Sequence, residues 1–254
     1  MELYRTPWTL SRLPVAVVFD MDGLILDTER LWMAAMIETM ADHQREMSVD
    51  FYRAMLGTPW LGIRERLIEH YGPTLAVDDI RPVWTARFVE LCKAQLALKT
   101  GVRELLDLLD DLGIPAAVAT SSPRDLVLEH FAHLGLASRF QHVLAQGDYP
   151  KGKPDPAPYL SAAARLGVRP EDCLALEDSH NGVRSASSAG MMTIMVPDLV
   201  GPTEEIAALC LGVSLDLHEV GEAIAEAARA SNRDREITPS PGPSRTPDPY
   251  AEGR

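Results

Sequence analysis

A series of short apolar runs, each closed by a polar residue or a glycine, constrains the fold of this chain more than any other feature. Runs of this kind occupy residues 14–20, 115–120, 173–178 and 192–198, and a weaker one occupies 141–147. The first reads PVAVVFD and contains several β-branched residues. A strand that is covered on both faces has this continuous apolar character, as in a parallel sheet. We therefore predict a buried parallel sheet built from these runs.

Helical patterns separate the runs. Apolar residues recur at helical spacing in 102–113, 123–135, 156–167 and 180–190, and each segment ends on a glycine. Glycine just past the last turn is a common helix stop. The alternation of strand and helix from about residue 99 to 230 predicts an α/β fold with a doubly wound, Rossmann-like parallel sheet.

Residues 29–98 break this alternation, because amphipathic helical patterns follow one another there with no strand between them. We call this segment the helical insert and predict that it forms an all-α cap able to close over a site at the sheet edge. The α/β core then comprises residues 13–28 and 99–230. Residues 231–254 are polar and rich in Pro, Ser and Arg, which predicts a disordered tail.

Charge and hydropathy narrow the choice of partners. The formal net charge of -13 argues against nucleic acid, because a nucleic-acid site needs a basic surface. The apolar runs stop well short of membrane-spanning length, and residues 1–14 lack the basic start and apolar stretch of a secretory signal. We therefore expect a cytoplasmic protein with no membrane partner. The spacing of Cys92, Cys173 and Cys210 matches no metal-binding motif. We expect all three to be small buried residues of a protein in a reducing compartment.

Polar side chains stand at the carboxyl ends of the predicted strands, where open parallel sheets bind their ligands. They are Asp20 and Asp22 after the first run, Thr120, Ser121 and Ser122 after the second, Lys153 in the segment KGKPDP, and Glu177 and Asp178. Carboxylates crowded at one edge repel one another and need a cation, and oxygen ligands suit Mg²⁺. The pattern predicts a magnesium site that would also hold a phosphate oxygen.

Two aspartates two residues apart can divide the work of phosphoryl transfer. One carboxylate can attack phosphorus and form an aspartyl-phosphate, while the other gives a proton to the leaving oxygen and later activates water. Thr120 can donate a hydrogen bond to the phosphoryl oxygens, and Lys153 can pair with both the nucleophile and the phosphate. Each residue also has a structural explanation, such as a helix cap or a solvated turn. Their common position at strand ends favours the catalytic hypothesis.

Four motifs in this sequence share the pattern of a known family. They are FDMDGLILDTE (19–29), VATSS (118–122), GKPDP (152–156), and LEDSHNG (176–182) with the following AGMMTIMVPD (189–198). These motifs resemble those of the haloacid dehalogenase-like hydrolase superfamily, in the branch of helical-cap phosphatases and β-phosphoglucomutase-like enzymes. The resemblance covers nearly the whole chain apart from the first residues and the tail.

The resemblance implies catalytic roles for the matching residues. Asp20 would be the nucleophile and Asp22 the general acid and base. Thr120 and Lys153 would bind the transferring phosphoryl group. The activity implied is hydrolysis of a small phosphate monoester, and the partner is a small phosphorylated metabolite. Most such phosphatases are monomers, so a monomer is expected.

The resemblance also implies a metal shell and hinges. Mg²⁺ would be held by Asp20, Asp178 and the backbone carbonyl of Asp22, with Glu177 in or near the outer shell. The stretch 23–28 and the region near 98–101 would be the hinges of the cap.

Other activities of the superfamily fit the residues less well. A dehalogenase lacks the second aspartate, so Asp22 argues against one. A phosphonate-cleaving member needs a cap lysine, and the insert offers Lys93 late in its course, with Lys99 at its border. A β-phosphoglucomutase-like phosphomutase is the main alternative, although Trp32 and Trp60 stand where that family has a His and an Arg. A non-catalytic phosphate-binding regulator is a further alternative, which the complete set of site residues disfavours.

The helical insert supplies the candidates for substrate selection. Gly57, Thr58 and Trp60 lie in a segment similar to the cap loop that faces the active site, and Trp32 precedes them on a helical pattern. An aromatic wall could stack on a sugar or a base, or both tryptophans could pack inside the insert. Ser121 is a further candidate for substrate binding. The substrate stays open among sugar phosphates, phosphogluconate and pseudouridine 5′-phosphate.

Overall fold

The computed structural model of the protein describes residues 7–56, 58 and 60–237. Its strands are β1 (Ala16–Phe19), β2 (Ala116–Ala119), β3 (His142–Leu144), β4 (Cys173–Glu177), β5 (Met192–Met195) and β6 (Gly212–Val213). In this part of the chain, six strands form one sheet in the order β3-β2-β1-β4-β5-β6, and each neighbouring pair is parallel. The predicted doubly wound α/β fold is therefore confirmed.

Helices cover both faces of this sheet. They are α5 (Val102–Leu112), α6 (Arg124–Leu134), α7 (Ala157–Leu166), α8 (His180–Ser188), α9 (Glu204–Leu209) and α10 (Leu217–Ile237). Side chains alternate between the faces along β1, so Val17 and Phe19 pack with α5, α6 and α10, whereas Ala16 and Val18 pack with α7 and α8. The second face is rich in alanine, which lets α7 lie close to the strands that carry the site.

The helical insert consists of α1 (Thr28–Asp42), α2 (Val49–Arg53), α3 (Trp60–Tyr71) and α4 (Val77–Gln95). These helices share an apolar cluster of their own that includes Met40, Tyr52, Leu67 and Trp84. Other residues of α1 and α4, including Leu31 and Phe88, pack into the main core cluster beside the sheet.

The two chain segments that join the insert to the sheet lie side by side. The backbone N–H of Asp27 donates to the carbonyl of Ala97 at 3.0 Å, and that of Lys99 donates to Ile25 at 2.9 Å. Both connections thus leave the sheet at one place, next to the carboxyl end of β1.

The last helix departs from the predicted boundary of the tail. Helix α10 continues to Ile237, past the predicted start of disorder at residue 231. The sequence there contains no helix breaker before Pro239, and the residue that precedes a proline is biased away from helical conformation. The rest of the predicted tail, from residue 238, lies outside the described residues. No helix within the described part of the chain is both long enough and apolar enough to cross a membrane.

Candidate active site

The site forms at the carboxyl ends of three adjacent strands in the middle of the sheet. Asp20 follows β1, Thr120 follows β2, and Glu177 is the last residue of β4. The backbone N–H of Asp20 donates to the carbonyl of Leu176, which ties the end of β1 to the end of β4. Parallel pairing in this register brings the predicted strand-end side chains to one edge.

Lys153 reaches this edge from the loop between β3 and α7. Its Nζ donates to Asp20 Oδ1 and, at 2.6 Å, to Glu177 Oε1, and its side chain is almost fully buried. Burial opposes the charged form of Lys153, but Asp20 and Glu177 together outweigh burial and raise its pKa. A buried ammonium with two carboxylate partners stays protonated and keeps a fixed direction.

Glu177 is fully buried, and both of its carboxylate oxygens accept hydrogen bonds. Tyr159 donates to Oε1 at 2.7 Å, beside Lys153. Oε2 accepts from the backbone N–H groups of Asp178 and Ser179 and from the Ser179 hydroxyl, at 3.0 to 3.2 Å. Ser179 also caps α8, where its hydroxyl accepts from the N–H of Gly182 at 3.0 Å. These contacts hold the turn that follows β4 as well as Lys153.

Three carboxylates converge beside Lys153. Oxygen atoms of Asp20, Glu177 and Asp178 all lie within 4.8 Å of one another. Gly23 lets Asp178 approach closely, because a Cβ at this position would lie 2.2 Å from Asp178 Oδ2 and the backbone has a φ of +83°. With all three carboxyl groups ionised, the cluster would carry more negative charge than the Lys153 ammonium offsets. Its oxygen donors fit a hard divalent cation.

Two carboxyl groups of this cluster, those of Asp20 and Asp178, resist ionisation in the absence of a metal. Burial raises the pKa of Asp20 to about 8, against the opposing effect of Lys153 and with the help of Glu177 and Asp22. Burial also raises the pKa of Asp178 well above its usual range, and the charges of Asp20 and Glu177 add to the effect. A bound cation would favour both charged forms.

Asp22 points its carboxylate toward hydroxyl groups rather than into the acidic cluster. Oδ1 accepts from the Thr28 hydroxyl at 3.0 Å. Oδ2 accepts from the Ser122 hydroxyl at 2.6 Å and from Thr120 Oγ1 at 3.4 Å. Asp22 therefore sits between the end of β2 and the start of the helical insert. The carboxylate of Asp22 is therefore not one of the three that converge beside Lys153.

Ser121 is the serine that we predict to bind substrate, whereas the hydroxyl that contacts Asp22, at 2.6 Å, is that of Ser122. Ser121 is exposed, and its partner is Tyr149, which in turn donates to the backbone carbonyl of Thr120 at 2.8 Å. Thr120 is fully buried and its Oγ1 accepts from the N–H of Ser122. The strand ends at Ala119, so the alternation of side chains along β2 does not predict the direction of either serine.

Two adjoining cavities lie over the acidic cluster and inside the insert. A smaller one, of about 190 Å³, is lined by Asp178, the start of α8, and Glu29 and Leu56 of the insert. The larger one, of about 430 Å³, is lined by Trp32, Thr58 and Trp60 among others. Gly57, the fourth candidate for substrate selection, lies outside the described residues.

Several residues of the site were assigned no role from the sequence. Thr28, Glu29 and Ser122 contact or adjoin Asp22 and Asp178, and Tyr159 and Gly182 contact Glu177. Thr28 and Glu29 belong to the first motif, and Ser122 belongs to the second, so motif membership could have pointed to them. Gly182 is the last residue of the fourth motif, LEDSHNG, so it could have been found in the same way. The contact of Tyr159 with Glu177 depends instead on how α7 packs against the sheet, which no local pattern reveals.

Comparison with known proteins agrees with this geometry. Residues 17–196 match the family described as "Haloacid dehalogenase-like hydrolase". Hexitol phosphatase B of Escherichia coli (strain K12) is 33% identical, over 72% of this chain and 83% of that protein. The "Probable pseudouridine-5'-phosphatase" of Drosophila melanogaster is 36% identical, over 71% of this chain and 80% of that protein.

A solved structure supports the same grouping. CbbY from Rhodobacter sphaeroides, in complex with phosphate, has a TM-score of 0.68 and 29% identity, and the match covers 84% of this chain and 100% of that one. The chain therefore belongs to the haloacid dehalogenase-like hydrolase family, in the branch that includes these phosphatases.

Proposed function

We propose that this phosphoric monoester hydrolase cleaves a small sugar phosphate or nucleotide-like monoester through an aspartyl-phosphate on Asp20, with Mg²⁺ as cofactor. The observation that carries the proposal is the group of buried charges at the strand ends, in which Lys153 joins Asp20 to Glu177 beside Asp178. The proposed partner is a small phosphorylated metabolite, and the cytoplasmic location and monomeric state stay predictions.

Asp20 is the proposed nucleophile. A carboxylate oxygen of Asp20 forms a bond to phosphorus while the bond from phosphorus to the substrate's ester oxygen breaks. Lys153 binds Asp20 and can at the same time offset the negative charge of a phosphoryl group. Thr120 adds a hydroxyl at the neighbouring strand end.

Asp22 is the proposed general acid and base. It would give a proton to the departing ester oxygen and later take one from the water that attacks the aspartyl-phosphate, which releases inorganic phosphate and restores Asp20. The hydroxyls of Thr28 and Ser122 orient its carboxylate. Because Thr28 begins the helical insert, this contact also connects Asp22 with the insert.

Asp20 and Asp178 are the side chains best suited to hold Mg²⁺, with the backbone carbonyl of Asp22. When bound, Mg²⁺ would offset the negative charge on the phosphoryl oxygens during transfer. Both oxygens of Glu177 already accept hydrogen bonds, so we assign Glu177 mainly to the positioning of Lys153 and the turn before α8.

The relatives support hydrolysis of phosphorylated carbohydrates or related compounds, since one is named a hexitol phosphatase and another a probable pseudouridine-5'-phosphatase. A sugar phosphomutase is the second candidate, because solved structures named as β-phosphoglucomutases share the fold. A mutase must also bind a second phosphate. Trp32 and Trp60 occupy the positions at which β-phosphoglucomutase-like enzymes have a His and an Arg, and these replacements weaken the binding of a second phosphate. We therefore rank the phosphatase first.

The test is the release of phosphate from a panel of sugar phosphates and nucleotides, with Mg²⁺ and with EDTA. Wild type should release phosphate with Mg²⁺, and EDTA should abolish the release. Asp20→Asn should abolish turnover and leave the protein folded by circular dichroism. Turnover by a pure Asp20→Asn sample would contradict the assignment of the nucleophile. If no monoester reacts, an assay with β-glucose 1-phosphate and a bisphosphate primer tests for phosphomutase activity.

A further inference from the structure

The larger cavity lies within the helical insert and has an aromatic character. We call it the insert cavity, and it measures about 430 Å³, within the usual range of about 300–1,000 Å³ for ligand sites. Its walls include the rings of Trp32, Tyr52, Trp60 and Trp84. These residues come from α1, α2, α3 and α4, so each helix of the insert contributes a ring to one space.

The insert cavity adjoins the catalytic edge. Glu29 and Leu56 line both the insert cavity and the smaller cavity that contains Asp178. A molecule whose phosphoryl group lies at Asp20 and Asp178 can therefore extend past Glu29 and Leu56 into the insert. The group that would enter the insert cavity is the part of the substrate farthest from the phosphate.

Neighbouring contacts hold the aromatic rings in place. Trp32 stacks on Phe88 with ring centroids 4.0 Å apart and an angle of 10° between the ring planes. Trp60 meets Trp84 edge to face, with centroids 5.9 Å apart. The guanidinium of Arg81 lies 4.2 Å from the centroid of the Trp60 ring. Rings that are ordered before a ligand arrives lose little further freedom on binding.

Polar groups are few along the walls of the insert cavity. Glu29, which accepts from the Tyr52 hydroxyl at 3.3 Å, lies at the junction with the catalytic edge, and Arg81 is exposed. Thr58 and Thr85 each add one hydroxyl group to the lining. A polyol that entered this space would place most of its hydroxyls against rings and methionines, without partners. A planar ring with a few polar edges matches the lining better.

We propose that the insert cavity binds the planar base of a nucleoside 5′-monophosphate, with Trp60 as the principal ring against which the base packs. This inference rests on the proposed function, because it assumes that the phosphate lies at Asp20. It favours a nucleotide over the sugar phosphates and phosphogluconate that the motifs also leave open. Glu29 and Arg81 then face the polar edges of the ribose and the base.

The test compares the binding of uridine 5′-monophosphate and ribose 5-phosphate to full-length Asp20→Asn protein by calorimetry, with Mg²⁺ present. The two compounds share the ribose and the phosphate and differ by the base. Packing of a base on an aromatic side chain predicts a Kd for the nucleotide that is lower by roughly 10- to 100-fold. Equal Kd values, or binding of neither compound, would overturn the inference.

Three variants in the Asp20→Asn background locate the effect. Trp60→Ala should remove most of the difference between the two Kd values, whereas Trp60→Phe, which keeps a ring, should retain most of it. Leu61→Ala is the matched control, because Leu61 lies on the same helix, is 71% exposed and does not line the cavity. Equal weakening of both compounds by Trp60→Ala, with its melting temperature preserved, would count against the base as the group that Trp60 contacts.

Phosphate release by wild type tells the two proposals apart. If wild type hydrolyses ribose 5-phosphate as well as it does the nucleotide, the phosphatase stands and the base preference is wrong. If the nucleotide binds more tightly through Trp60 but neither compound is hydrolysed, the insert cavity stands and the proposed hydrolysis fails.

Discussion

Replacement of Gly182 by alanine should disable the site although it improves the local helix. Gly182 lies in α8, and an added Cβ would lie 1.8 Å from Cδ and Oε1 of Glu177. Such an overlap is cheap only when the neighbouring side chain can move away. Glu177 cannot move freely, because Lys153, Tyr159 and the turn after β4 hold both of its oxygens.

The magnitude follows from three effects on the free energy of unfolding. Alanine gains about 1 kcal/mol over glycine inside a helix. Overpacking in a tight interior costs about 1–3 kcal/mol. The loss of one hydrogen bond to the charged Glu177 costs about 1.5–3 kcal/mol more. We therefore expect Gly182→Ala to destabilise the protein by roughly 1.5–5 kcal/mol, as measured by urea unfolding.

Gly221→Ala provides the matched control. Gly221 also lies in a helix, and its added Cβ would make only ordinary contacts, at 3.8 Å from Leu108 and 3.9 Å from Leu105. This variant should gain about 1 kcal/mol of stability and keep wild-type activity. Gly182→Ala should also lower kcat, by up to about 100-fold, because Lys153 follows the displaced Glu177. If Gly182→Ala were as stable and as active as Gly221→Ala, the argument that Glu177 is rigidly held would be refuted.

Two further predictions concern the aspartates. Ser122→Ala should lower kcat by roughly tenfold and change KM little, because it removes the 2.6 Å hydrogen bond that orients Asp22. The loss corresponds to about 1.5 kcal/mol in the transition state. Ser121→Ala should have a smaller effect in the same steady-state assay, and a larger effect of Ser121→Ala would contradict the role of Ser122 in orienting Asp22. When EDTA removes the metal, burial raises the pKa of Asp20 from 3.8 to about 8. Between these two pH values the folded protein therefore retains a proton that the unfolded chain loses. The urea midpoint should therefore fall as pH rises from about 4 to 8, more in wild type than in Asp20→Asn, and an equal fall in both would exclude Asp20 as the cause.

The sheet could be predicted because its strands are buried on both faces. β1, β2, β4 and β5 form continuous apolar runs, which is a signal that a short sequence window can carry. β6 consists of Gly212 and Val213 and escaped prediction, because two residues are too few to show any period. The predicted start of the tail at residue 231 falls inside α10, because composition indicates disorder only as an average over a stretch and not at a given residue.

Open parallel sheets bind their ligands at the carboxyl ends of their strands, and this rule correctly predicted that the charged residues of the candidate site lie at one edge. The reason is that parallel pairing aligns the carboxyl ends of neighbouring strands. The same rule could not choose between Ser121 and Ser122, since both follow the last residue of β2, where the alternation of side chains stops. It also gave no reason to select Tyr159, which reaches Glu177 from α7 on one face of the sheet.

Glu177 illustrates why residue type alone does not assign a function. As a carboxylate beside Asp178, it was a reasonable candidate for the metal shell, and it does lie within reach of the other carboxylates. Its surroundings, however, supply an ammonium, two hydroxyls and two backbone N–H groups to its two oxygens. A carboxylate with that many donors gains little from a further cation, whereas Asp178, crowded by other negative charges, gains much. We therefore expect Asp178 to act as a metal ligand and Glu177 as a positioning residue, because neighbouring elements bring hydrogen-bond donors to Glu177 and negative charge to Asp178.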